Sequence, residues 1–451
     1  MRKIFIAVLL AMSAGCGVQA ANADNPYGIS GYLDKSSQTP IAKEEALKHP
    51  ERLIKVADSL KVRVVNDRLP LYLDQGAFWP SDENPQWRIS CNEWEKDHPG
   101  LLRVDLRTGK AETIVTGTES CDPVRRTPWG TIVFGEENGG GKQGGRLYEL
   151  IDPLHTTGVK LDRKTGRFSQ GTGAANLTTR PLLGRLSWEG MVVLPSGVVY
   201  YTDESRPEKG NPGGAFFKFV PAQPPNGEIS ALRDSPLTHG KLYGLRIGKH
   251  EGGRDYGQGT QWGQGSWIPV EDRSDPDLTK ATATQHLTGY YRPEDMDLDR
   301  KALAEGKVRI CSDETGNEDE AQSWGDTICL ADGTVDQPTA GVPQVQPFIL
   351  GSPALNMPDN IAYQPGRGNW IVHEDGDTDS DLQGFHGNDL WSCRPDGPDD
   401  DLQSDGCVRI ATLNDGSPTG GEFDASGRHF YVVVQWSSTG YGVLLDITGW
   451  R

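Results

Sequence analysis

Acidic residues that follow short apolar strands are the residues of this sequence best suited to chemistry. Thr131–Phe134 is a β-branched and aromatic run that predicts a buried strand, and Glu136 and Glu137 follow it after a single glycine. Two carboxylates at the end of a buried strand contribute little to packing. They are suited instead to binding a hard cation or to transferring a proton.

The same order of acid, glycine turn, strand and second acid recurs along the chain. The recurring units begin about 50 to 65 residues apart, which is typical of four-stranded propeller blades. One gap between units has about twice this length, and the strand-like run Leu242–Ile247 could fill it as a unit without acids. The repeat predicts an all-β protein, a β-propeller of about six four-stranded blades. The acids singled out in these units are Glu136, Glu137, Glu189, Asp203, Glu294, Asp359 and Glu422.

These acids are predicted to meet, because the inner strands of a propeller converge on its axis. Several carboxylates in contact cannot all stay ionised without a counter-charge. Calcium is the cation that such oxygen ligands favour in an exported protein. Iron or manganese could also bind, and a thiolate from Cys121 would then add a softer ligand. The alternative interpretation is that the acids cap turns and solvate the rim of the propeller.

One arginine stands close to these acids in the sequence. Arg292 lies two residues before Glu294, on the same face of an extended chain. A guanidinium beside a metal cluster can bind phosphate through paired hydrogen bonds. The alternative is an ordinary ion pair between Arg292 and a neighbouring acid. The chain contains no H-E-x-x-H and no G-x-S-x-G motif, which disfavours a zinc hydrolase and an α/β-hydrolase.

Residues 1–23 have the pattern of a secretion signal. Met1–Lys3 is charged, Ile4–Met12 is apolar, and Ala21–Ala23 is an A-x-A cleavage site. Ser13–Cys16 also resembles a lipobox, so a form anchored by a lipid on Cys16 is an alternative to soluble export. The apolar run Ile4–Met12 is too short to span a bilayer, and no other stretch of the sequence is long and apolar enough to do so.

The rest of the chain is predicted to form one large domain with a short extension. Residues 24–60 are polar and partly helical in pattern, and the propeller is predicted over residues 61–451. A net charge of −18 disfavours nucleic acid or an anionic membrane as a partner. A small anionic substrate remains compatible with this charge, because bound cations invert the local sign.

Six cysteines follow the signal segment, and an even number in an exported chain suggests disulfides. Neighbours along the sequence would pair as Cys91–Cys121, Cys311–Cys329 and Cys393–Cys407, although the sequence alone does not fix the connectivity. A Cys91–Cys121 bond would consume the thiol of Cys121. The two interpretations of Cys121, as a metal ligand and as half of a disulfide, therefore exclude each other.

Short motifs in a fixed order resemble the PhoX family of secreted alkaline phosphatases. They span about residues 75–450 and are Cys121, Thr127–Thr131, Glu136–Glu137, Leu183–Glu189, Tyr201–Asp203, Phe217–Val220, Arg292–Glu294, Pro358–Asp359 and Thr419–Phe423. The resemblance implies a six-bladed propeller that holds calcium and iron ions at its axis and hydrolyses phosphate monoesters. It implies that Cys121 is an iron ligand and that Arg292 binds phosphate. The implied metal ligands are Glu137, Glu189, Asp203, Glu294, Asp359 and Glu422.

Three hypotheses follow. The first is a metal-dependent phosphatase acting on a small phosphorylated substrate. We expect it to be a monomer, exported to the periplasm or beyond, either free or lipid-anchored at the outer membrane. The second is a non-catalytic, calcium-stabilised propeller that binds a ligand or a partner. The third is a calcium-dependent propeller lactonase, which would need a catalytic base at the axis in place of a phosphate clamp.

Overall fold

Six inner strands arranged in a ring form the centre of the molecule. The computed structural model describes residues 25–139, 144–251, 254–256, 261–271, 275–317, 323–376 and 387–451. In these residues each inner strand contacts the next one along the chain, and the last contacts the first. The fold is a closed β-propeller, which confirms the predicted fold class.

The first two blades follow a short N-terminal segment. That segment contains helix α1 (Lys43–Lys48), a 3-10 turn (Pro50–Leu53) and strands β1 (Ile54–Val56) and β2 (Lys61–Leu69). Blade 1 contains β3 (Leu73–Trp79), β4 (Trp87–Asn92), β5 (Pro99–Asp105) and β6 (Ala111–Thr116). Blade 2 contains β7 (Cys121–Arg126), β8 (Ile132–Glu136) and β9 (Leu147–Leu150). After β9 the chain returns to blade 1, where β10 (Val159–Asp162) and β11 (Arg167–Ser169) extend the sheet. Strand β12 (Leu177–Thr179) then pairs with β9 and completes blade 2.

Blades 3 and 4 are joined at their outer edges. Blade 3 contains β13 (Trp188–Val193), β14 (Val199–Asp203), β15 (Phe216–Pro221) and β16 (Gly240–Ile247). The hairpin β17 (Lys249–Glu251) and β18 (Arg254–Tyr256), strand β19 (Gly263–Pro269) and helix α2 (Leu278–Thr284) come next. Blade 4 contains β20 (Pro293–Leu298), followed by helix α3 (Arg300–Ala304), and then β21 (Lys307–Glu314), β22 (Asp326–Thr334) and β23 (Gln344–Leu350). Strand β19 pairs with β16 on one side and β23 on the other, so the two blades form one nine-stranded sheet.

The chain ends close the ring. Blade 5 contains β24 (Pro358–Tyr363), β25 (Trp370–Glu374), β26 (Asp389–Cys393) and β27 (Cys407–Leu413), with β1 at its outer edge. Blade 6 contains β28 (Ser417–Phe423), β29 (Phe430–Gln435) and β30 (Gly442–Thr448), and β2 supplies its fourth strand. Further 3-10 turns lie at Ala174–Asn176, Pro181–Leu183, Leu232–Asp234 and Pro236–Thr238.

One part of the predicted repeat was wrong. Leu242–Ile247 does not begin a blade of its own, because it lies in β16, the outer strand of blade 3. The blade that the repeat missed is blade 1, at residues 73–116. The double-length gap is instead filled by the segment that joins blades 3 and 4, which includes β19 and α2.

The segment before residue 61 packs on the propeller. Ala46, Leu53 and Ile54 are buried in one core cluster with residues of blades 5 and 6. The division of the chain at residue 60 stays a prediction, and the signal segment, residues 1–23, lies outside the described residues. Among the described residues, no helix is both long and apolar enough to cross a membrane.

Each inner strand has a register irregularity near its beginning. In β7, for example, Cys121 pairs with Glu136 and the next paired residue is Val124. The same shift occurs in the other five inner strands. Such bulges bend a strand and redirect its side chains. Here they place the residue that follows the last pairing before the bulge at the mouth of the central channel.

Candidate active site

Five of the six inner strands place a carboxylate at the same position, within the bulge. Glu189, for instance, follows Trp188, the residue of β13 that pairs with Asp203 at the end of β14. Blade 6 has Gly420 at this position, where an added Cβ would lie 2.3 Å from the carbonyl oxygen of Asp74. The five acids, one from each of blades 1 to 5, are Asp74, Asp122, Glu189, Glu294 and Asp359.

These acids form two groups, each able to surround a cation. Carboxylate oxygens of Glu189, Glu294 and Asp359 all lie within 4.8 Å of one another. The same holds for Asp74, Asp122 and a further acid, Glu93. The carboxyl groups of Asp122 and Glu189 lie within hydrogen-bonding reach, so the two groups adjoin. We call them the Glu294 triad and the Asp74 triad.

The alternation of side chains along a strand explains which of the predicted acids join this cluster. Glu136 pairs with the first residue of β7 and turns away from the axis, where it accepts hydrogen bonds from Arg163 (2.7 Å) and Tyr148 (3.0 Å). Asp203 holds the same position in blade 3 and accepts from the backbone N–H of Ser187 at 3.0 Å. Neither residue belongs to a triad.

The residue after each of these acids lies on the axial side, because successive side chains of a strand point in opposite directions. Glu137 follows Glu136, and its carboxyl group lies within hydrogen-bonding reach of Glu204. Glu93 holds the corresponding place in blade 1, after the end of β4. The repeat thus places acids at a second position of the mouth, next to the triads. We call the position of the triad acids within the bulges the first level, and this position the second level.

Sequence reasoning missed Asp74, Glu93 and Asp122. A usable signal existed for one of them, because Asp122 precedes Glu137 by 15 residues, as Glu189 precedes Glu204. This unit was described from the strand Thr131–Phe134 onwards, so Asp122 lay outside it. Asp74 and Glu93 lie in blade 1, which the repeat did not include.

Burial and mutual repulsion hold protons on the cluster when no cation is present. Burial raises the pKa of Asp74 to about 7 and the pKa of Glu294 to about 8. Burial, followed by the charges of neighbouring acids, holds the pKa values of Asp122, Glu189 and Asp359 well above the usual range. Such a site stabilises positive charge.

A pH dependence of stability follows for the metal-free protein. The folded cluster keeps protons that the unfolded chain releases near pH 4, so stability is lost as the pH rises from about 4 through about 8. In a chelator, we expect a melting temperature lower by ~3 °C or more at about pH 8.5 than at about pH 5.5. Added calcium should shrink this difference. Equal melting temperatures in the chelator would contradict the expectation.

Arg292 extends over the Glu294 triad. Its Nη2 lies 2.9 Å from Glu294 Oε1, and its Nε donates to Glu204 Oε1 at 2.5 Å. The backbone of Arg292 has φ +50°, and Ser120 and Met357, which also precede inner strands, have φ +48°. Positive φ is strained for residues other than glycine and is found most often at functional sites. Here it directs the arginine towards the triad.

A family model describes most of this architecture. Residues 108–437 match the family "Alkaline phosphatase PhoX". The chain belongs to the PhoX family. It is by family a phosphoric monoester hydrolase, as the motifs predicted.

The solved structure of a PhoX protein has a similar fold. The structure of Pseudomonas fluorescens PhoX in complex with vanadate, a transition-state analogue, matches with a TM-score of 0.63 and 15% identity, over 93% of this chain and 98% of that one. Kuenenia stuttgartiensis hydrazine synthase matches with a TM-score of 0.40 and 10% identity, over 83% of this chain and 95% of that one. The latter similarity is too low to bear on function. No curated protein sequence matches the chain significantly.

Besides Asp203, two further residues that the PhoX resemblance assigns to the metals lie in other contacts. Cys121 is bonded to Cys91, and the pairs Cys311–Cys329 and Cys393–Cys407 are also formed, as the sequence order suggested. Cys121 therefore has no thiolate in this structure.

Glu422, the second of these residues, lies two residues beyond the level of the triads. It accepts a hydrogen bond from the buried Arg88 at 3.1 Å. Glu422 lines a cavity of about 420 Å³, together with residues that lie further along the inner strands than the triads do. Its side chain is thus separate from the carboxylates of both triads.

Proposed function

We propose that this PhoX-family chain is a calcium-dependent phosphatase that hydrolyses phosphate monoesters at the mouth of the propeller. One observation carries the proposal: five blades place a carboxylate at the same position of the inner strand, and Arg292 lies against the resulting cluster. Carboxylates alone would repel a phosphate. Cations held by the two triads would reverse the local charge, and Arg292 would then face an anionic substrate.

The side chains present fit calcium. All donors of the two triads are carboxylate oxygens, which is the ligand type that calcium prefers. Asp74 Oδ1 and Asp122 Oδ1 are buried without a hydrogen-bond partner among the described residues. A buried oxygen without a partner is costly, and coordination of a cation would compensate for it.

The same side chains do not fit a thiolate-ligated iron. Cys121 is the one cysteine that the resemblance implies as an iron ligand, and its sulfur is bonded to Cys91. A soft ligand is therefore missing, and the remaining donors are hard oxygens. We therefore propose calcium as the cation of the triads, and we propose no iron held by a thiolate.

The residues around the triads position the reacting groups. When bound, calcium neutralises the charge of the phosphate and lowers the pKa of an oxygen nucleophile. Arg292 orients the phosphoryl group by donating from its guanidinium, while Glu204 holds Nε of that guanidinium. Thr315 donates to Glu294 Oε1 at 2.6 Å, and Gln75 donates to Glu189 Oε1 at 3.0 Å. These two contacts fix the orientation of the triad carboxylates.

Release of nitrophenol from nitrophenyl phosphate, with and without a calcium chelator, tests the proposal. We expect turnover that the chelator abolishes and calcium restores. Absence of calcium-dependent turnover would contradict it and favour the non-catalytic, calcium-stabilised propeller. Hydrolysis of a lactone without hydrolysis of the phosphate ester would favour the lactonase. A lactonase would not need an arginine beside the triads, so the position of Arg292 favours the phosphatase.

The disulfide gives a separate prediction. Replacing both Cys91 and Cys121 by serine should lower the free energy of unfolding by ~3 kcal/mol, because the bond closes a long loop. Calcium-dependent activity of the folded variant should stay within about twofold, since neither sulfur is a ligand. Denaturant unfolding and nitrophenol release measure the two effects. Loss of activity with the fold intact would mean that Cys121 acts at the site.

The proposal includes export. It rests on the signal-like residues 1–23 and on three disulfides, which form in oxidising compartments. Lipid anchoring through Cys16 and a monomeric state are further parts of the proposal. Mass determination of the mature protein and light scattering would test them.

A further inference from the structure

Blade 6 differs from the other blades at both levels of the mouth. Its inner strand has Gly420 in place of an acid. At the second level, the pairing of Thr419 with Val433 places Val434, and Trp436 follows two residues later, directly after the end of β29. The second-level residues of blades 1 to 5 are all polar: Glu93, Glu137, Glu204, Thr315 and Asp375. This sector of the mouth therefore has no acid at either level, and an aromatic ring lies beyond the second level.

Trp436 is held in an exposed position. Its side chain is 51% exposed, and its backbone has φ +58°, which is rare for a bulky residue. The ring packs edge-on against Tyr72, with centroids 4.4 Å apart, and Tyr72 packs against Trp94 at 4.7 Å. We call Tyr72, Trp94 and Trp436 the aromatic platform. A supported ring in a strained conformation is suited to binding, because little conformational freedom remains to be lost.

The platform adjoins the Asp74 triad. The backbone N–H of Glu93, a member of that triad, donates to the carbonyl of Tyr72 at 2.8 Å. With its amide oriented to satisfy both neighbours, Gln435 donates to Glu93 Oε2 at 3.2 Å and accepts from Trp436 Nε1 at 3.0 Å. A single side chain thus separates the exposed ring from Glu93, a candidate metal ligand.

We propose that the aromatic platform binds a planar aromatic ring in the alcohol part of the substrate, so that the natural substrates are nucleoside or aryl phosphates. The inference rests on the proposed function, which places the phosphate over the triads. The alcohol part of the ester must then extend away from the cation ligands, and blade 6 is the sector that has none at either level. A tryptophan face stacks on any aromatic ring without requiring a particular hydrogen-bond pattern.

Three phosphate esters and three variants test the platform. The substrates are phenyl phosphate, adenosine monophosphate and glycerol 2-phosphate, which has no ring. Trp436→Gly removes the ring and tolerates the positive φ, whereas Trp436→Phe keeps an aromatic ring. Tyr441→Ala is the matched control, because Tyr441 lies in the same loop, is 39% exposed, and contacts Arg68 instead of the platform.

We expect Trp436→Gly to lower kcat/KM about tenfold for the aromatic esters and to leave glycerol 2-phosphate unchanged. Trp436→Phe should retain most of the activity, and Tyr441→Ala all of it. A loss confined to adenosine monophosphate would identify nucleoside phosphates, and a loss confined to phenyl phosphate would identify aryl phosphates. An equal loss for all three esters, or no loss for the aromatic ones, would overturn the proposal.

Binding of adenosine and phenol, which contain no phosphate, separates this inference from the proposed function. Calorimetry should detect binding of at least one of them to the wild-type protein and to Tyr441→Ala, and a weakening of about tenfold in Trp436→Gly. Such binding without any hydrolysis would support the platform and refute the phosphatase. Hydrolysis of all three esters at equal rates, with no binding of either compound, would refute the platform alone.

Discussion

Replacing Glu294 by glutamine is expected to lower calcium-dependent phosphatase activity by ~10³-fold. Glu294 is buried, and it contributes its carboxylate both to the triad with Glu189 and Asp359 and to the contact with Arg292. Glutamine preserves the shape of the side chain and removes its charge. The variant should fold, bind calcium more weakly by calorimetry, and release nitrophenol only at a residual rate.

Glu422→Gln is the matched control for this prediction. Glu422 also lies in an inner strand, but it pairs with Arg88 and belongs to neither triad. Its variant should keep the calcium affinity and most of the activity of the wild-type protein. If Glu422→Gln lost calcium and Glu294→Gln did not, the assignment of ligands would be wrong.

Arg292 is expected to be the residue with the second largest effect. Arg292→Ala should lower kcat/KM by ~10²- to 10³-fold, because the phosphoryl group loses its guanidinium partner. Arg292→Lys should recover only part of this loss, since an ammonium group cannot donate two parallel hydrogen bonds. Inhibition by inorganic phosphate should weaken together with the activity, which steady-state kinetics would measure.

Calcium binding distinguishes this role of Arg292 from a structural one. The arginine is a cation and cannot be a metal ligand, so both variants should bind calcium at least as tightly as the wild-type protein. If calcium affinity fell and phosphate inhibition were unchanged, Arg292 would act only by holding Glu204 and Glu294 in place.

The repeat of acids and strands predicted the propeller because its period reflects a physical unit, the blade. It could not identify blade 1, in which no acid-and-glycine pattern resembled the other units closely enough. It also could not separate Glu136 from Glu137. That distinction depends on which of the two residues pairs with the first residue of β7, and a shift of one residue exchanges the two faces of a strand.

Cys121 shows a different limit of the sequence. Its position in the PhoX motif implies a metal ligand, whereas the presence of Cys91 suggests a disulfide. Only the packing of β4 beside β7 brings the two sulfur atoms together. Trp436 was not recognised at all, because an isolated tryptophan after a strand is ordinarily a packing residue. Its exposure and its place in the mouth are tertiary properties.

The central claim is that the carboxylate triads hold calcium and that this calcium is required for phosphate ester hydrolysis. Its most direct test is to strip the purified protein with a chelator and to measure bound metal and nitrophenol release together as calcium is added back. We predict that activity rises in proportion to bound calcium without added iron. Recovery of activity only when iron is supplied, or full activity in the stripped protein, would contradict the claim.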